Sequence, residues 1–148
     1  MGPDLSRVLL AALALVCSVS ANAQAISADD ARAVRAVIEA QLDAFRKDDA
    51  ARAFSYATPS IRNMFGTPEN FVEMVRTQYA VVYRPASVAF GKVDFLDGEP
   101  TQIVVYTDAE SRHWLALYPM QRQPDGTWRI NGCYLEQLVQ KKAALRRL

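Results

Sequence analysis

Residues 112–135, RHWLALYPMQRQPDGTWRINGCYL, decide the fold of this chain. Two apolar, aromatic-rich runs flank Pro124-Asp125-Gly126, and this combination of residues is typical of a tight turn between antiparallel strands. A three-residue loop with glycine in the left-handed region places Gln123 opposite Thr127. The stretch therefore predicts a β-hairpin, on which the preceding residues pack.

The predicted hairpin register divides the side chains between two faces of the sheet. One face holds Trp114, Ala116, Tyr118, Met120, Trp128, Ile130, Gly132 and Tyr134; the other holds His113, Leu115, Leu117, Asn131, Cys133 and Leu135. A four-residue turn after Thr107 adds Ile103 and Val105 to the first face, and Val104 and Tyr106 to the second. A slip of one residue exchanges the two sets. Both faces are apolar, so the face turned away from the helices needs a cover: the C-terminal segment, a second subunit or a ligand.

Helices precede the sheet in the sequence. Ser27-Ala28-Asp29-Asp30 is typical of a helix start, and the apolar stripe that follows predicts a helix to about Lys47. Shorter helices are predicted over residues 50–57 and 60–65, and a further one begins at Thr67-Pro68 and ends before Arg84. After Pro85 the pattern alternates, which predicts four strands at residues 87–96, 101–107, 112–121 and 127–135. Helices followed by an antiparallel sheet indicate an α+β domain.

The N-terminus has the pattern of an export signal. Arg7 precedes an apolar run at residues 8–19, and small residues follow in two A-x-A patterns, at 21–23 and 23–25. Twelve apolar residues are too few to span a bilayer, which needs about 20. We therefore expect residues 1–23 to be a cleaved signal peptide and residues 24–148 to be one domain, exported to the bacterial periplasm or secreted.

Composition excludes several classes of protein. The net charge of +1 gives no field for nucleic acid, and 51% hydrophobic residues are incompatible with a disordered chain. The single histidine, His113, leaves a histidine-based metal site without partners. After removal of Cys17 the one remaining cysteine, Cys133, cannot form an intrachain disulfide. The sequence indicates no metal and no cofactor.

The chain resembles a family of small exported bacterial proteins known only as a domain of unknown function. The resemblance covers about residues 26–138 and is most specific at Met64-Phe65-Gly66-Thr67-Pro68 and at residues 128–133, WRINGC. More broadly, helices followed by a curved sheet resemble the cone-shaped fold of nuclear transport factor 2. Relatives of that fold include ketosteroid isomerases, dehydratases, binding modules and dimerisation domains. The resemblance implies a fold but no activity.

Two residues are candidates for proton transfer. Asp94 lies among apolar strand residues, and isomerases of similar fold use a carboxylate base in an apolar cone with a tyrosine as donor. An aspartate at this position is commonly the solvent-facing member of an alternating strand. His113 is a candidate general base or, alternatively, a strand-end surface residue. No motif of the isomerases matches this sequence.

Six residues are candidates for contact with a ligand in the cone, and each has a structural alternative as core, cavity wall or surface. They are Tyr83, Tyr106, Trp114, Tyr118, Trp128 and Arg129. The C-terminal tail, residues 135–148, is basic and can form a helix. It either packs on the second face of the sheet or contacts an anionic membrane surface.

The sequence as a whole favours a non-catalytic module that binds a small apolar ligand or a protein, and that forms a homodimer through the open sheet face. The alternative is a cofactor-independent isomerase or dehydratase acting on a small apolar molecule.

Overall fold

Helix α1, Ala28–Arg46, begins at the predicted capping residue. The backbone N–H of Asp30 donates to the hydroxyl of Ser27 at 3.0 Å, which satisfies one of the free donors at the helix start. Val34, Ile38 and Phe45 are buried on one side of the helix. Each such side chain stabilises the fold by ~1.5–3 kcal/mol relative to exposure to water. The computed structural model describes residues 25–139; the predicted signal peptide and the end of the basic tail lie outside them.

Four shorter helices follow, and local sequence explains their ends. Thr58 and Thr67 cap two of them through side-chain oxygens, and Gly66, at φ 77°, closes the helix between these caps. The predicted last helix is interrupted at Tyr79 and continues as a separate turn. The helices are α2 Ala50–Ser55, α3 Pro59–Phe65, α4 Pro68–Gln78 and α5 Ala80–Tyr83. Within residues 25–139, no helix is long and apolar enough to cross a membrane.

A curved antiparallel sheet follows the helices, which confirms the predicted α+β class. The central strand β3 pairs with β2 on one side, and β2 in turn pairs with β1. On the other side, β4 and β5 pair with different parts of β3. The strands are β1 Ser87–Leu96, β2 Glu99–Thr107, β3 His113–Arg122, β4 Trp128–Ile130 and β5 Tyr134–Leu138.

Two bulges, each adding one residue to a strand, shift the register of the sheet. In β1, Phe90 pairs with Val104 but Val93 pairs with Gln102, so residues 91 and 92 face one residue of β2. The second bulge, residues 131–133, separates β4 from β5, so that the predicted strand 127–135 is two strands. We refer to them as the 91–92 bulge and the 131–133 bulge.

The second bulge corrects the predicted assignment of side chains to faces. Leu135 pairs with Ala116 and lies on the helix side, whereas Tyr134 pairs with Leu117 on the outer side. Cys133 packs against the core cluster, also on the helix side. The extra residue reverses the two faces for all of β5.

The connection between β2 and β3 also differs from the prediction. Thr107 pairs with His113, so the connection has five residues instead of four. Asp108 closes it, because its carboxylate accepts from the backbone N–H of Arg112 at 2.9 Å and from the indole of Trp114 at 2.9 Å. The faces of β2 are therefore the reverse of those predicted. Val104 and Tyr106 lie on the helix side with Ala116 and Tyr118, and Ile103 and Val105 lie outside with Leu115 and Leu117.

Candidate ligand-binding cavity

A cavity of about 570 Å³ lies between the helices and the sheet. Its walls come from α1, α3, α4 and α5 on one side, and from β3 and the 131–133 bulge on the other. The volume is within the range of pockets that hold small organic ligands. Most of the lining is apolar, including the phenylalanines Phe45, Phe65 and Phe71.

The helical wall depends on the junction between α3 and α4. Gly66 and the Thr67 cap turn the chain so that both helices face the cavity. Phe65 from α3 then packs edge-on against Phe71 from α4, with the ring centroids 5.6 Å apart. The junction therefore places an aromatic pair, from two short helices, in one wall.

The sheet wall depends on the 131–133 bulge. The N–H of Asn131 donates to the carbonyl of Pro119 at 2.8 Å, and the Asn131 side chain accepts from the hydroxyl of Thr58 at 3.1 Å. Gly132 has φ 142°, a conformation that side-chain-bearing residues rarely adopt. The hydroxyl of Tyr79 donates to the carbonyl of Cys133 at 3.0 Å. These contacts hold the bulge against the cavity.

Two buried tyrosines lie behind this wall. Their hydroxyl oxygens are 2.7 Å apart, Tyr106 is fully buried, and Tyr118, 1% exposed, borders the cavity. Burial raises the pKa of both phenols well above the ordinary tyrosine value. Burial also raises the pKa of the Cys133 thiol to about 12, against the opposing effect of a hydrogen bond from Tyr118. All three groups are therefore neutral at physiological pH.

Electrostatically the cavity is neutral throughout. Of the described residues that line it, none is an aspartate, glutamate, lysine, arginine or histidine. Its polar groups are amides, hydroxyls and a thiol; one of the amides, Gln41, donates to the carbonyl of Ala53 at 3.0 Å. Such a lining disfavours charged ligands, because a charge removed from water would find no partner of opposite sign.

A second cavity, of about 470 Å³, adjoins the first and is lined by residues from both faces of the sheet. Leu115, Leu117 and Glu136 contribute to it. It shares Tyr79, Cys133 and Tyr134 with the first cavity. The residues of the 131–133 bulge and its neighbours therefore separate the two cavities.

The candidate proton-transfer residues lie outside both cavities. Asp94 is on the edge strand β1, where its carboxylate is 2.6 Å from the Lys92 ammonium and accepts from its neighbour Phe95. These contacts lower the pKa of Asp94. His113, at the start of β3, has its Nδ1 3.0 Å from the Thr107 hydroxyl. The two residues pair with opposite ends of β2, roughly 20 Å apart, so the structure does not bring them together.

Of the six candidate ligand contacts, Tyr118 lines the cavity. Three of the others are tied to carboxylates: Tyr83 to Asp48, Trp114 to Asp108 and Trp128 to Asp30. The hydroxyl of Tyr106 is hydrogen-bonded to that of Tyr118, and Arg129 donates to the carbonyl of Trp128 at 3.0 Å. Burial tends to raise the pKa of Asp108, but the hydrogen bonds from Trp114 and Arg112 outweigh it and lower this pKa to about 2.

Several polar residues of the cavity were not predicted from the sequence as ligand contacts. The helical periodicity directs Tyr79 inward, which is a signal for it. Gln41 lies one residue before Leu42 of the apolar stripe of α1. Because the side chain is polar, its burial was not predicted. Asn131 and Cys133 reach the cavity through the bulge, for which the sequence offers only Gly132 as a signal. Within residues 25–139, no three histidine, cysteine or acidic side chains are grouped so as to hold a metal ion.

The fold and the cavity define an α+β domain whose helices and sheet line a neutral, mainly apolar space that opens to the surface. Residues 27–143 match the family model described as "Domain of unknown function (DUF4864)", and the chain belongs to this family. No curated protein and no solved structure matches this chain. The two segments in which the family resemblance is most specific, at Met64–Pro68 and at residues 128–133, contribute opposite walls of the cavity.

Proposed function

We propose that this protein is a non-catalytic binding module with a cone of the nuclear transport factor 2 type, which holds a small, uncharged, apolar molecule between its helices and sheet. The observation that carries the proposal is the cavity of about 570 Å³ with a neutral lining. In line with the N-terminal sequence, the module acts in the bacterial periplasm or outside the cell after loss of residues 1–23.

Binding is favoured over proton transfer by the chemistry of the lining. General acid–base catalysis needs a group that titrates near the working pH. The ionisable groups that border the cavity are phenols and a thiol; burial raises the pKa of the Tyr79 and Tyr118 phenols and that of the Cys133 thiol. Asp94 and His113 do not border it. Among residues 25–139, the isomerase or dehydratase alternative therefore lacks a base that borders the cavity.

Fluorescence titration with the neutral probe N-phenyl-1-naphthylamine tests the proposal. We expect one bound probe per chain, and weaker binding of an anionic naphthalene sulfonate. Met74→Trp adds bulk inside the cavity and should weaken probe binding by about ten-fold or more, equivalent to ~1.4 kcal/mol. Val88→Trp places the same side chain on β1, outside the lining, as the matched control. Absence of binding, or equal effects of the two variants, would contradict the proposal.

We also propose that the outer sheet face pairs with a second copy of the chain. Four aliphatic side chains, Ile103, Val105, Leu115 and Leu117, lie together there and are only half-buried. Tyr134 is 70% exposed beside them. An apolar patch on a sheet face matches itself in an isologous dimer, which buries the same residues of both subunits.

Sedimentation equilibrium tests the pairing. Leu117→Glu places a charge at the centre of the patch and should shift a dimer to monomer while the thermal transition remains cooperative. Val88→Glu, on the exposed part of β1, should leave the mass unchanged. A wild-type protein that remains monomeric at high concentration would refute the pairing without affecting the cavity proposal.

A further inference from the structure

The mouth of the first cavity is formed by the lining residues that are exposed to solvent. They are Met64 in α3, Gln78 at the end of α4 and Tyr134 at the start of β5. Met64 and Tyr134 are each 70% exposed, although methionine is a residue of the core in most proteins. None of the three side chains carries a charge, so the neutral character of the cavity continues to the surface of the protein.

These two side chains are among the most exposed large apolar groups of residues 25–139. The others in this part of the chain are Val88, Leu96, Leu138 and Val139. Val88 and Leu96 are on β1 and are only 36% and 39% exposed, whereas Leu138 ends β5 and Val139 follows it. Exposed apolar groups are therefore concentrated at the mouth and along the strand that begins there, which is typical of a surface that contacts a partner or a membrane.

The sequence that continues from β5 adds positive charge. Between Tyr134 and Leu148 there is one acidic residue, Glu136, and there are four basic residues: Lys141, Lys142, Arg146 and Arg147. Lysine and arginine attract the anionic head groups of a bilayer, and tyrosine and aliphatic side chains insert at the boundary between head groups and acyl chains. The combination of charge with exposed apolar groups favours a lipid surface over a protein partner.

We propose that the mouth of the cavity contacts the surface of an anionic lipid bilayer, and that the bound molecule passes directly between bilayer and cavity. The inference rests on the proposed binding function and names the source of the ligand. An uncharged apolar molecule partitions into lipid, and its transfer through water is unfavourable in proportion to its apolar area. A mouth without charges approaches the lipid with no charged group to be removed from water.

Co-sedimentation with phospholipid vesicles tests the contact. The protein is the chain from residue 24 onward, the mature form expected after export, because the apolar leader would itself bind lipid. We expect binding to vesicles of phosphatidylcholine and phosphatidylglycerol, and binding at least about ten-fold weaker to phosphatidylcholine alone. Replacement of the four basic residues of the tail by glutamine should cause the same loss. Binding to neither kind of vesicle would overturn the inference and would leave the exposed mouth to a protein partner.

A pair of double variants tests whether the mouth itself contacts the lipid. Met64→Glu/Tyr134→Glu puts two charges on the mouth and should weaken binding to the mixed vesicles about ten-fold or more. Val88→Glu/Leu96→Glu makes the same change of charge on β1, outside the lining, and should weaken binding by less than about three-fold. Equal weakening by the two variants would mean that net charge alone governs binding, and the mouth would have no part in it.

Fluorescence quenching locates the mouth without adding charge. A tryptophan introduced by Met64→Trp should be quenched by phospholipids brominated in their acyl chains. The tryptophan of Leu96→Trp should add no quenching beyond that of Trp114 and Trp128 in the wild type. Equal quenching of the two introduced tryptophans would contradict the proposed orientation, even if the glutamate variants fold poorly.

Transfer kinetics separate this inference from the proposed function. The protein is loaded with N-phenyl-1-naphthylamine and mixed in a stopped-flow instrument with vesicles that contain a lipid-linked quencher. The transfer rate should rise with vesicle concentration, as exchange during contact requires. A rate independent of vesicle concentration would show that the probe leaves through water, and would overturn the inference alone. Failure of the chain to bind the probe in solution would contradict the proposed function itself, whatever the result with vesicles.

Discussion

The two bulges of the sheet differ in how their hydrogen-bonding groups find partners. At the 91–92 bulge, the buried side chain of Gln102 donates to the carbonyls of Gly91 and Ile103 at 2.8 and 2.9 Å. At the 131–133 bulge, Thr58 donates to the side chain of Asn131 and Tyr79 donates to the backbone carbonyl of Cys133, but the space beside the bulge remains a cavity. The 91–92 bulge, whose carbonyls are hydrogen-bonded by a side chain of the same sheet, stabilises the fold. The 131–133 bulge, which borders a cavity, is available for binding.

The largest expected difference between the two bulges is in the rate at which a cysteine thiol at each of them is alkylated. In a Cys17→Ser chain, Cys133 is the one remaining thiol. Because burial raises its pKa to about 12, the thiolate fraction at pH 8 falls by roughly 10³-fold relative to an ordinary cysteine. We expect alkylation by iodoacetamide to be slower in the folded than in the urea-unfolded protein by a similar factor. The folded rate should still be rising with pH at pH 10, where an ordinary thiol approaches its plateau.

The matched control places a thiol in the other bulge. Lys92→Cys, in a Cys17→Ser/Cys133→Ala background, puts a cysteine at an exposed position of the 91–92 bulge. It should react at nearly the same rate before and after unfolding. A folded-state rate for Cys133 within ten-fold of this control would mean that the 131–133 bulge is open to water.

Removal of the side chain that completes the 91–92 bulge should have the next largest effect. Gln102→Leu keeps the approximate volume but leaves the carbonyls of Gly91 and Ile103 without their donor, at a cost of ~2–3 kcal/mol in the free energy of unfolding. Urea denaturation measures this loss. Gln121→Leu, at an exposed position of β3, should stay within ~0.5 kcal/mol of the wild type. Equal stabilities for the two variants would show that Gln102 does not complete the bulge.

The sequence predicted those parts of the fold that depend on neighbouring residues. Ser27 and Thr67 cap their helices through bonds to residues three positions away, and Gly126 adopts the left-handed conformation expected of the hairpin loop. The pairing of Gln121 with Arg129 follows from that loop and is confirmed. Short-range chemistry sufficed here because each feature is completed within a few residues.

The bulges and the cavity depend on contacts between distant residues, which periodicity cannot predict. Gln102 reaches Gly91 across strands, and the hydroxyl of Tyr79 reaches residue 133, 54 positions further along. Both faces of the hairpin are apolar, so the alternation itself does not say which face is inside. One extra residue, in the β2–β3 connection or at 131–133, then reverses the assignment. Tyr118 was identified as a candidate because it is aromatic, and no local signal in the sequence places it beside the cavity.

Alanine substitution of one glycine in each bulge, Gly132 and Gly91, should give the smallest differences in the free energy of unfolding. Gly132→Ala forces a side-chain-bearing residue to φ 142°, which should cost ~1–2 kcal/mol although nothing lies within 4 Å of the new methyl group. Gly91→Ala adopts no such conformation, but its methyl group would lie 3.3 Å from the carbonyl oxygen of Ile103, which a small shift relieves at a cost below about 1 kcal/mol.

The affinity for the neutral probe separates the two glycines further. Gly132 borders the cavity, so relaxation of its backbone should move Asn131 and Cys133 and weaken binding of N-phenyl-1-naphthylamine. Gly91 lies outside the lining, and its variant should bind as the wild type does. If Gly91→Ala weakened binding of the probe as much as Gly132→Ala, the two bulges would be coupled through the sheet. The assignment of the 91–92 bulge to the fold and of the 131–133 bulge to binding would then be wrong.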